Sequence, residues 1–448
     1  MKKGLSKGVW GWALYDWANS AFATTVMAGF FPVFFKMYWS HGANVNESTA
    51  LLGLGNSAAS LLVAITAPMM GAIADRSSGK KKFLLGFAYL GALTTASLYT
   101  VGKGEWALSI FFYMLGIVGF AGANVFYDAL LPGVSTEENV DFISGLGFSL
   151  GYLGGGLLFA VNVLMTLFPH HFGLPDASAA VRVSFVTVAV WWGGFSLFTA
   201  FWVPDDGARI LPKSSTSHSV LRQYIQSFKK LKSLKAASMF LLAYWCYIDG
   251  VDTIIRMAVD YGLSIGFSST DLIVSLLVVQ FIGFPAALAF GKLGQKWGVR
   301  KAIFLAIAFY MGITLWGTMI SRKEEFYVLA VGIGLVQGGI QALSRSYYTR
   351  LIPKGQSGEF FGFYNMLGKF AVILGPLLVG VVSLGARWLL LPDAPTPDEV
   401  THAARAASRW GIGSILLLFL AGGVLLYFVD EEKGKVDAGK FSDEYGQI

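Results

Sequence analysis

The sequence predicts an all-α integral membrane protein with twelve transmembrane helices in two pseudo-symmetric six-helix bundles. Its apolar composition, twelve apolar runs of spanning length and an internal repeat lead to that fold class. Hydrophobic residues make up 55% of the 448 positions and charged residues only 14%, with a mean hydropathy of +0.59. A soluble protein carries about a quarter charged residues because its surface faces water. A deficit of this size means that much of the exterior faces hydrocarbon. The 54 glycines, 36 phenylalanines and 13 tryptophans agree, since membrane helices use small residues for close packing and aromatic rings at the interfaces.

Crossing about 30 Å of hydrocarbon takes about 20 residues of helix. Runs of that kind lie at 9–35, 48–73, 83–101, 107–131, 142–168 and 183–203, and again at 237–265, 272–290, 302–320, 326–352, 360–384 and 410–429. The first run is too long for a signal peptide, contains Asp16 and has no small-residue cleavage pattern, so it reads as a retained helix. Residues 1–203 thus form a first bundle, 204–236 a linker, 237–430 a second bundle and 431–448 a tail. In the linker, Leu221, Tyr224, Ile225, Phe228, Leu231 and Leu234 recur at helical spacing among Arg222, Lys229, Lys230, Lys232 and Lys235. The pattern predicts an amphipathic helix lying on the membrane surface.

Charge placement orients the chain. Of the 34 lysines and arginines, 23 fall at the termini and in the loops on their side, 8 fall opposite and three lie within spans. The positive-inside rule then puts both termini in the cytoplasm of a cell whose inner or plasma membrane holds the protein. It also accounts for the net charge of +7 without nucleic acid as a partner. One cysteine, Cys246, allows no intramolecular disulfide and no cysteine-built metal site. All five histidines, His41, His170, His171, His218 and His402, lie in loops or the linker, so no histidine relay or metal site is expected inside the membrane. No phosphate-binding loop, nucleophile elbow or zinc motif occurs, which argues against an enzyme, an ATP-driven pump or a bound cofactor.

The halves repeat. Gly71, Asp75, Arg76, Gly79 and Lys80 follow the second span, and Gly291, Gln295, Gly298 and Arg300 follow the eighth at an offset of about 220. Tyr127-Asp128-Ala-Leu-Leu-Pro132 and Tyr348-Thr349-Arg-Leu-Ile-Pro353 match at an offset of 221. Two matches in one register indicate an inverted or parallel repeat of the kind found in transporters. The loop after the second span resembles the signature of the major facilitator superfamily, with one extra serine. That resemblance implies that Asp75 pairs with basic residues across the domain interface and holds the cytoplasmic side shut. Gln295 in place of an acid implies a weaker second lock. Trp12-Ala-Leu-Tyr15-Asp16-Trp17-Ala-Asn19-Ser20 and Leu343-Ser344-Arg345-Ser346-Tyr347-Tyr348 look like the branch of autophagy-related vacuolar amino-acid effluxers and their bacterial relatives. The branch implies export or uptake of amino acids or similar metabolites.

Ionisable groups inside the membrane are costly and therefore functional candidates. Asp249, Asp252, Arg256 and Asp260 lie within about 80° of one helix stripe, three acids against one arginine. A surplus carboxylate there loads and releases a proton, is neutralised in an internal pair with Arg256, or holds a cation. Asp16-x-x-Asn19 aligns on Asp249-x-x-Asp252 as its repeat mate, and Asp128 closes the fourth span. In the tenth span Gln337, Gln341, Ser344, Arg345 and Tyr348 share one face, with Asn365 and Lys369 in the eleventh. Arg345 fits a substrate carboxylate with its planar fork, or pairs internally with Asp16, Asp128 or the seventh-span acids as a gate. Tyr15, Asn19 and Asn124 join Arg345, Gln337, Gln341, Tyr348, Asn365 and Lys369 as substrate-site candidates. Helix 5 carries Gly147, Gly151 and Gly155 at four-residue spacing, a packing ridge. Together these readings predict a monomeric secondary transporter. It would move a small carboxylate-bearing metabolite between helices 1, 4, 7, 10 and 11, coupled to protons. A drug or lipid-like exporter and a non-transporting receptor or scaffold are the competing classes.

Overall fold

A computed structural model of the chain describes residues 5–41, 45–77, 79–205, 220–264, 269–320, 322–370, 374–391 and 396–446. Twelve helices among them are long and apolar enough to cross a membrane. The first half comprises α1 (Lys7–Trp39), α2 (Val45–Ser77), α3 (Lys80–Ser97), α4 (Trp106–Val134), α5 (Val140–Leu167) and α6 (Ala177–Trp202). The linker contributes α7 (Val220–Ser233). The second half comprises α8 (Lys235–Ser264), α9 (Ser269–Trp297), α10 (Val299–Gly317), α11 (Lys323–Thr349), α12 (Ser357–Phe370), α13 (Leu374–Leu390) and α14 (Pro397–Tyr427), and α15 (Glu431–Gly446) closes the chain. The eleventh span is thus described as two helices, α12 and α13.

Local chemistry sets the helix boundaries. Ser6 Oγ accepts from the Val9 amide and begins α1, and Asp176 does the same for α6 through Ala179, each satisfying an orphan donor of a first turn. Gly298, at φ +91°, turns the chain between α9 and α10 in a conformation that L side chains resist. Trp12, Phe22, Phe31, Trp39 and Trp192 anchor one apolar core in the first half. Phe240, Tyr247, Tyr310, Tyr347 and Phe419 anchor another in the second. The halves meet along two seams, α5 against α9 and α2 against α12.

Glycines let the seams close. At Gly71 a Cβ would stand 1.9 Å from the Gly358 carbonyl oxygen, and at Gly362 one would stand 2.5 Å from Pro68 Cα, so the α2 and α12 backbones touch. Gly145 and Gly291 play the same part between α5 and α9, where a Cβ on Gly291 would meet the Asp141 carbonyl oxygen at 2.9 Å.

Two elements depart from the sequence-based expectation. Residues 431–446 do not trail as a tail: α15 docks under the second half, where the Lys354 amide donates to Ser442 Oγ at 2.9 Å and Gly434 packs on Leu351. Their mixed charges and glycines disguise the helix. The stripe of α7 also divides. Leu231 and Leu234 turn inward and are buried, whereas Ile225 and Phe228 are exposed; the side chains of Leu221 and Tyr224 lie outside the described residues.

Candidate functional site

Arg345 is the centre of the site. It sits on α11 in the second half, 2% exposed, yet its guanidinium reaches into the first half. Nε donates to Ser144 Oγ and an Nη to the Ser144 carbonyl, both at 3.0 Å, and the other Nη donates to Asp128 Oδ1 at 3.1 Å. Its carbon lies 4.9 Å from the Trp12 ring, 5.0 Å from Tyr127 and 4.4 Å from Phe148. A guanidinium is weakly hydrated and planar, so an aromatic box with a carboxylate at one edge is a place where it can be buried. Asp128 in turn accepts from Asn365 Nδ2 of α12 at 2.9 Å. Arg345, Asp128 and Asn365 therefore tie the two halves together near the ends of α4 and α11.

The first-half wall of this box is built by glycine. Gly147, Gly151 and Gly155 present α5 to α1 without side chains, and a Cβ at Gly151 would stand 2.7 Å from both Asp16 Oδ1 and Ser20 Oγ. That approach leaves room for Trp12 to stack on Tyr127 at 4.4 Å and for Trp12 Nε1 to donate to the Tyr127 carbonyl at 2.8 Å. Asp16 accepts from Ser20 at 3.1 Å and from the Tyr127 hydroxyl at 3.2 Å. Tyr15 is fully buried beside Tyr127, and Asn19 donates to Asn124 at 2.6 Å. Asn124 occupies, one repeat earlier at an offset of 221, the place that Arg345 occupies in α11.

The polar face expected along the tenth span, α11, splits between two environments. Arg345 points into the first half. Ser344 bonds the Tyr247 hydroxyl at 2.6 Å, and the Tyr348 hydroxyl donates to the Phe360 carbonyl at 3.2 Å, both inside the second half. Five positions over about 100° of a helix reach two different neighbours when the helix lies between bundles. Gln337 sits on α11 beside Tyr152 and Gln280, on an apolar cavity of about 160 Å³ that also takes in Ile254, Thr314 and Phe326. Gln280 donates across the seam to Thr24 at 2.7 Å. Gln341 and Lys369 are half-buried.

The seventh-span stripe does not converge on one centre as far as it is described. Asp249 turns to the eleventh span, where its carboxylate accepts from the Leu374 and Gly375 amides at 3.1 and 2.8 Å and from Thr253 at 3.2 Å. It caps the first turn of α13, a carboxylate on the positive end of a helix. Asp252, one turn on, is half-buried. The side chains of Arg256 and Asp260 lie outside the described residues, and with them the expected internal pair.

The loop lock also differs from expectation. Among the described residues Asp75 pairs with no basic side chain across the interface; it accepts from the Gly358 and Glu359 amides at 2.9 and 2.8 Å, the N-terminus of α12, and pairs with Lys80 of its own loop at 3.1 Å. Helix amides need no long side chain, so backbone-to-backbone contact at Gly71 and Gly358 suffices to bring them in reach. Arg76 is exposed and Gly79 precedes the first turn of α3. In the second copy, Arg300 bonds the Tyr427 carbonyl and covers its ring at 5.7 Å within its own half. Gln295 donates across the seam to the Glu138 carbonyl at 2.9 Å. The missing acid is made good elsewhere: Arg350 at the end of α11 pairs with Asp141 at the start of α5 at 2.7 Å. A reading confined to Gln295 therefore undervalues this seam. Ser144, Phe148, Asp141, Arg350 and Glu359 join these contacts without having stood out in the sequence. Their partners are between 129 and 284 positions away and leave no local periodicity.

Asp75→Asn should weaken closure modestly, because a neutral amide keeps one acceptor oxygen where the carboxylate uses two and loses the charge on the helix end. With such interactions at about 1 kcal/mol, the closed population should fall roughly fivefold against the open one. Maleimide labelling of a cysteine at Ala129, buried at this interface, would report it in a background with Cys246 replaced.

Comparison with known proteins matches the geometry. The family model described as "Vacuole effluxer Atg22 like" matches residues 45–384. An uncharacterized MFS-type transporter of Bacillus subtilis, YxiO, is 36% identical over 96% of this chain and 97% of its own length. Autophagy-related protein 22 of the yeast Vanderwaltozyma polyspora is 21% identical over 97% and 93%. Among solved structures, the human organic anion transporter MFSD10 superposes with a TM-score of 0.67 at 15% identity, over 94% of this chain and 99% of that one.

Proposed function

Because the chain belongs to the vacuole effluxer Atg22 like family of major facilitator transporters, we propose that it is a proton-coupled secondary transporter of a small, carboxylate-bearing solute such as an amino acid. It works by rocking its halves about the seams, with the basic end in the cytoplasm of the cell membrane. The observation that carries this reading is the placement of Arg345: a buried cation of one half held wholly by the other, at the end where the halves are in contact. Opening that end must pull the guanidinium out of its box, and a buried cation so exposed needs a new anion at once. A solute carboxylate supplies one, bound by the same fork that now holds Asp128.

The repeat suggests the other partner. In the first half Asn19 of α1 meets Asn124 of α4. Their mates in the second half are Asp252 and Arg345, so Arg345 returning to its own half meets Asp252 by the same geometry. A carboxylate that gains and loses a cation during the cycle changes its proton affinity each time. Asp252 is therefore the coupling acid of this account, and Asp249 a structural cap. A drug or lipid-like exporter has no use for an arginine box at the gate, and a scaffold gains nothing from burying one.

The test uses purified protein in proteoliposomes with labelled amino acids and an imposed pH gradient. Accumulation should follow the gradient in the wild type. Asp252→Asn should abolish accumulation while leaving exchange of internal for external solute. Uptake that ignores the gradient removes proton coupling, and a metabolite panel in which only hydrophobic cations raise the melting temperature removes the carboxylate class.

A further inference from the structure

The linker helix α7 presents a second surface that the transport cycle does not use. Ser227, Leu231 and Leu234 are buried against the bundle, whereas Ile225 and Phe228 are 47% and 52% exposed and Lys229 and Lys232 are exposed beside them. At 100° per residue, positions 225, 228, 229 and 232 fall within about 100° on the side opposite the buried stripe. The helix does not stand out in solvent. It lies against α2, its Phe228 ring is 6.5 Å from Phe363 of α12, and Lys230 Nζ reaches Glu359 at 3.0 Å and Gln356 at 3.4 Å. It is therefore fastened along the outer edge of the α2–α12 seam. There α2 carries apolar side chains to the exterior at Ile65 and Ile73, 53% and 46% exposed. A face of two apolar side chains flanked by two lysines, set at the end of apolar helices, matches the boundary between acyl chains and headgroups.

We propose that the outward face of α7 docks on anionic phospholipid headgroups of the leaflet on this side. Lys229 and Lys232 meet the phosphates, and Ile225 and Phe228 enter the acyl boundary. Charge complementarity selects this occupant: among the described residues only Lys230 of the α7 lysines is in an ion pair, and that pair points inward. Because Lys230 holds Glu359, whose amide bonds Asp75, a bound lipid steadies the helix next to the lock itself.

Hydrogen exchange of the full chain in nanodiscs tests this, independently of any transport reading. Adding phosphatidylglycerol to a phosphatidylcholine disc should slow the amides of 225–233 by on the order of tenfold, at about fivefold per interfacial lysine less the helix's own protection. Free glycerol phosphate over a phosphatidylcholine disc should not slow them. Lys229→Gln with Lys232→Gln should erase the lipid difference, while Phe228→Ser should speed exchange in both discs and keep the difference. Equal exchange in the two discs overturns the proposal, as does slowing by glycerol phosphate alone or slowing that survives the double lysine variant.

Discussion

Arg345→Ala is expected to abolish transport while the protein still inserts and folds. Alanine removes three hydrogen bonds and the contacts with three rings, and among the described residues it leaves buried Asp128 with only Asn365 as a hydrogen-bond partner. Breaking a buried ion pair from one side costs about 3–5 kcal/mol, so the closed basic end should lose at least about a hundredfold in population. Arg345→Lys should recover only part, since an ammonium keeps the charge but neither the fork nor the stacking on Trp12. Adding Asp128→Asn to Arg345→Ala separates two roles. The neutral pair should restore closure, read as protection of a cysteine at Ala129, without restoring uptake, because the solute's receptor is still missing.

Gly71→Ala should have an effect of similar size by a different route. Its Cβ would stand 1.9 Å from the Gly358 oxygen, 2.4 Å from that carbonyl carbon and 2.9 Å from the Glu359 nitrogen, all backbone atoms that no rotamer change can move aside. The helices must separate, and Asp75 then loses the two amides it caps. Overpacking costs typically about 1–3 kcal/mol and more where backbone is involved, to which the lost cap adds about 1. The variant should remain folded with its basic end open, and uptake should fall by about a hundredfold or more. Wild-type uptake by Gly71→Ala would mean that the α2–α12 contact is not part of the cycle.

Asp249→Ala is a test of fold more than of coupling. A fully buried carboxylate that caps α13 through two amides should cost about 1–2 kcal/mol when removed, seen as a lower melting temperature in detergent. Asp249→Asn should recover much of it.

The twelve spans, the repeat and the candidacy of Arg345, Asp128 and Asn365 were legible in the sequence because hydropathy, internal similarity and the cost of intramembrane charge are local properties. Direction was not. Nothing around Arg345 says that it faces Trp12 and Ser144 rather than Ser344's neighbour Tyr247, since adjacent residues on a helix differ by 100° and the bundles lie on both sides. Asp249 and Asp252 look alike in a pattern of charges, yet one caps a helix that begins 125 residues later. The glycine ridge on α5 was readable as packing, but only the structure gives its counterpart, the polar stripe of Asp16, Ser20 and Thr24 on α1. Asp75 was expected to meet a basic partner across the interface and instead meets two backbone amides of α12, which have no sequence signature.

The central claim is that the arginine box opens and closes during transport. The most direct measurement is the reaction rate of a cysteine at Ala129 with a membrane-impermeant maleimide applied from the basic side. It compares wild-type and Arg345→Ala backgrounds, each with and without the transported amino acid. The account predicts slow labelling in the wild type that transported solute accelerates, and fast, solute-independent labelling in Arg345→Ala. Slow labelling in Arg345→Ala would contradict it, because the end would then stay shut without the residue that is said to close it.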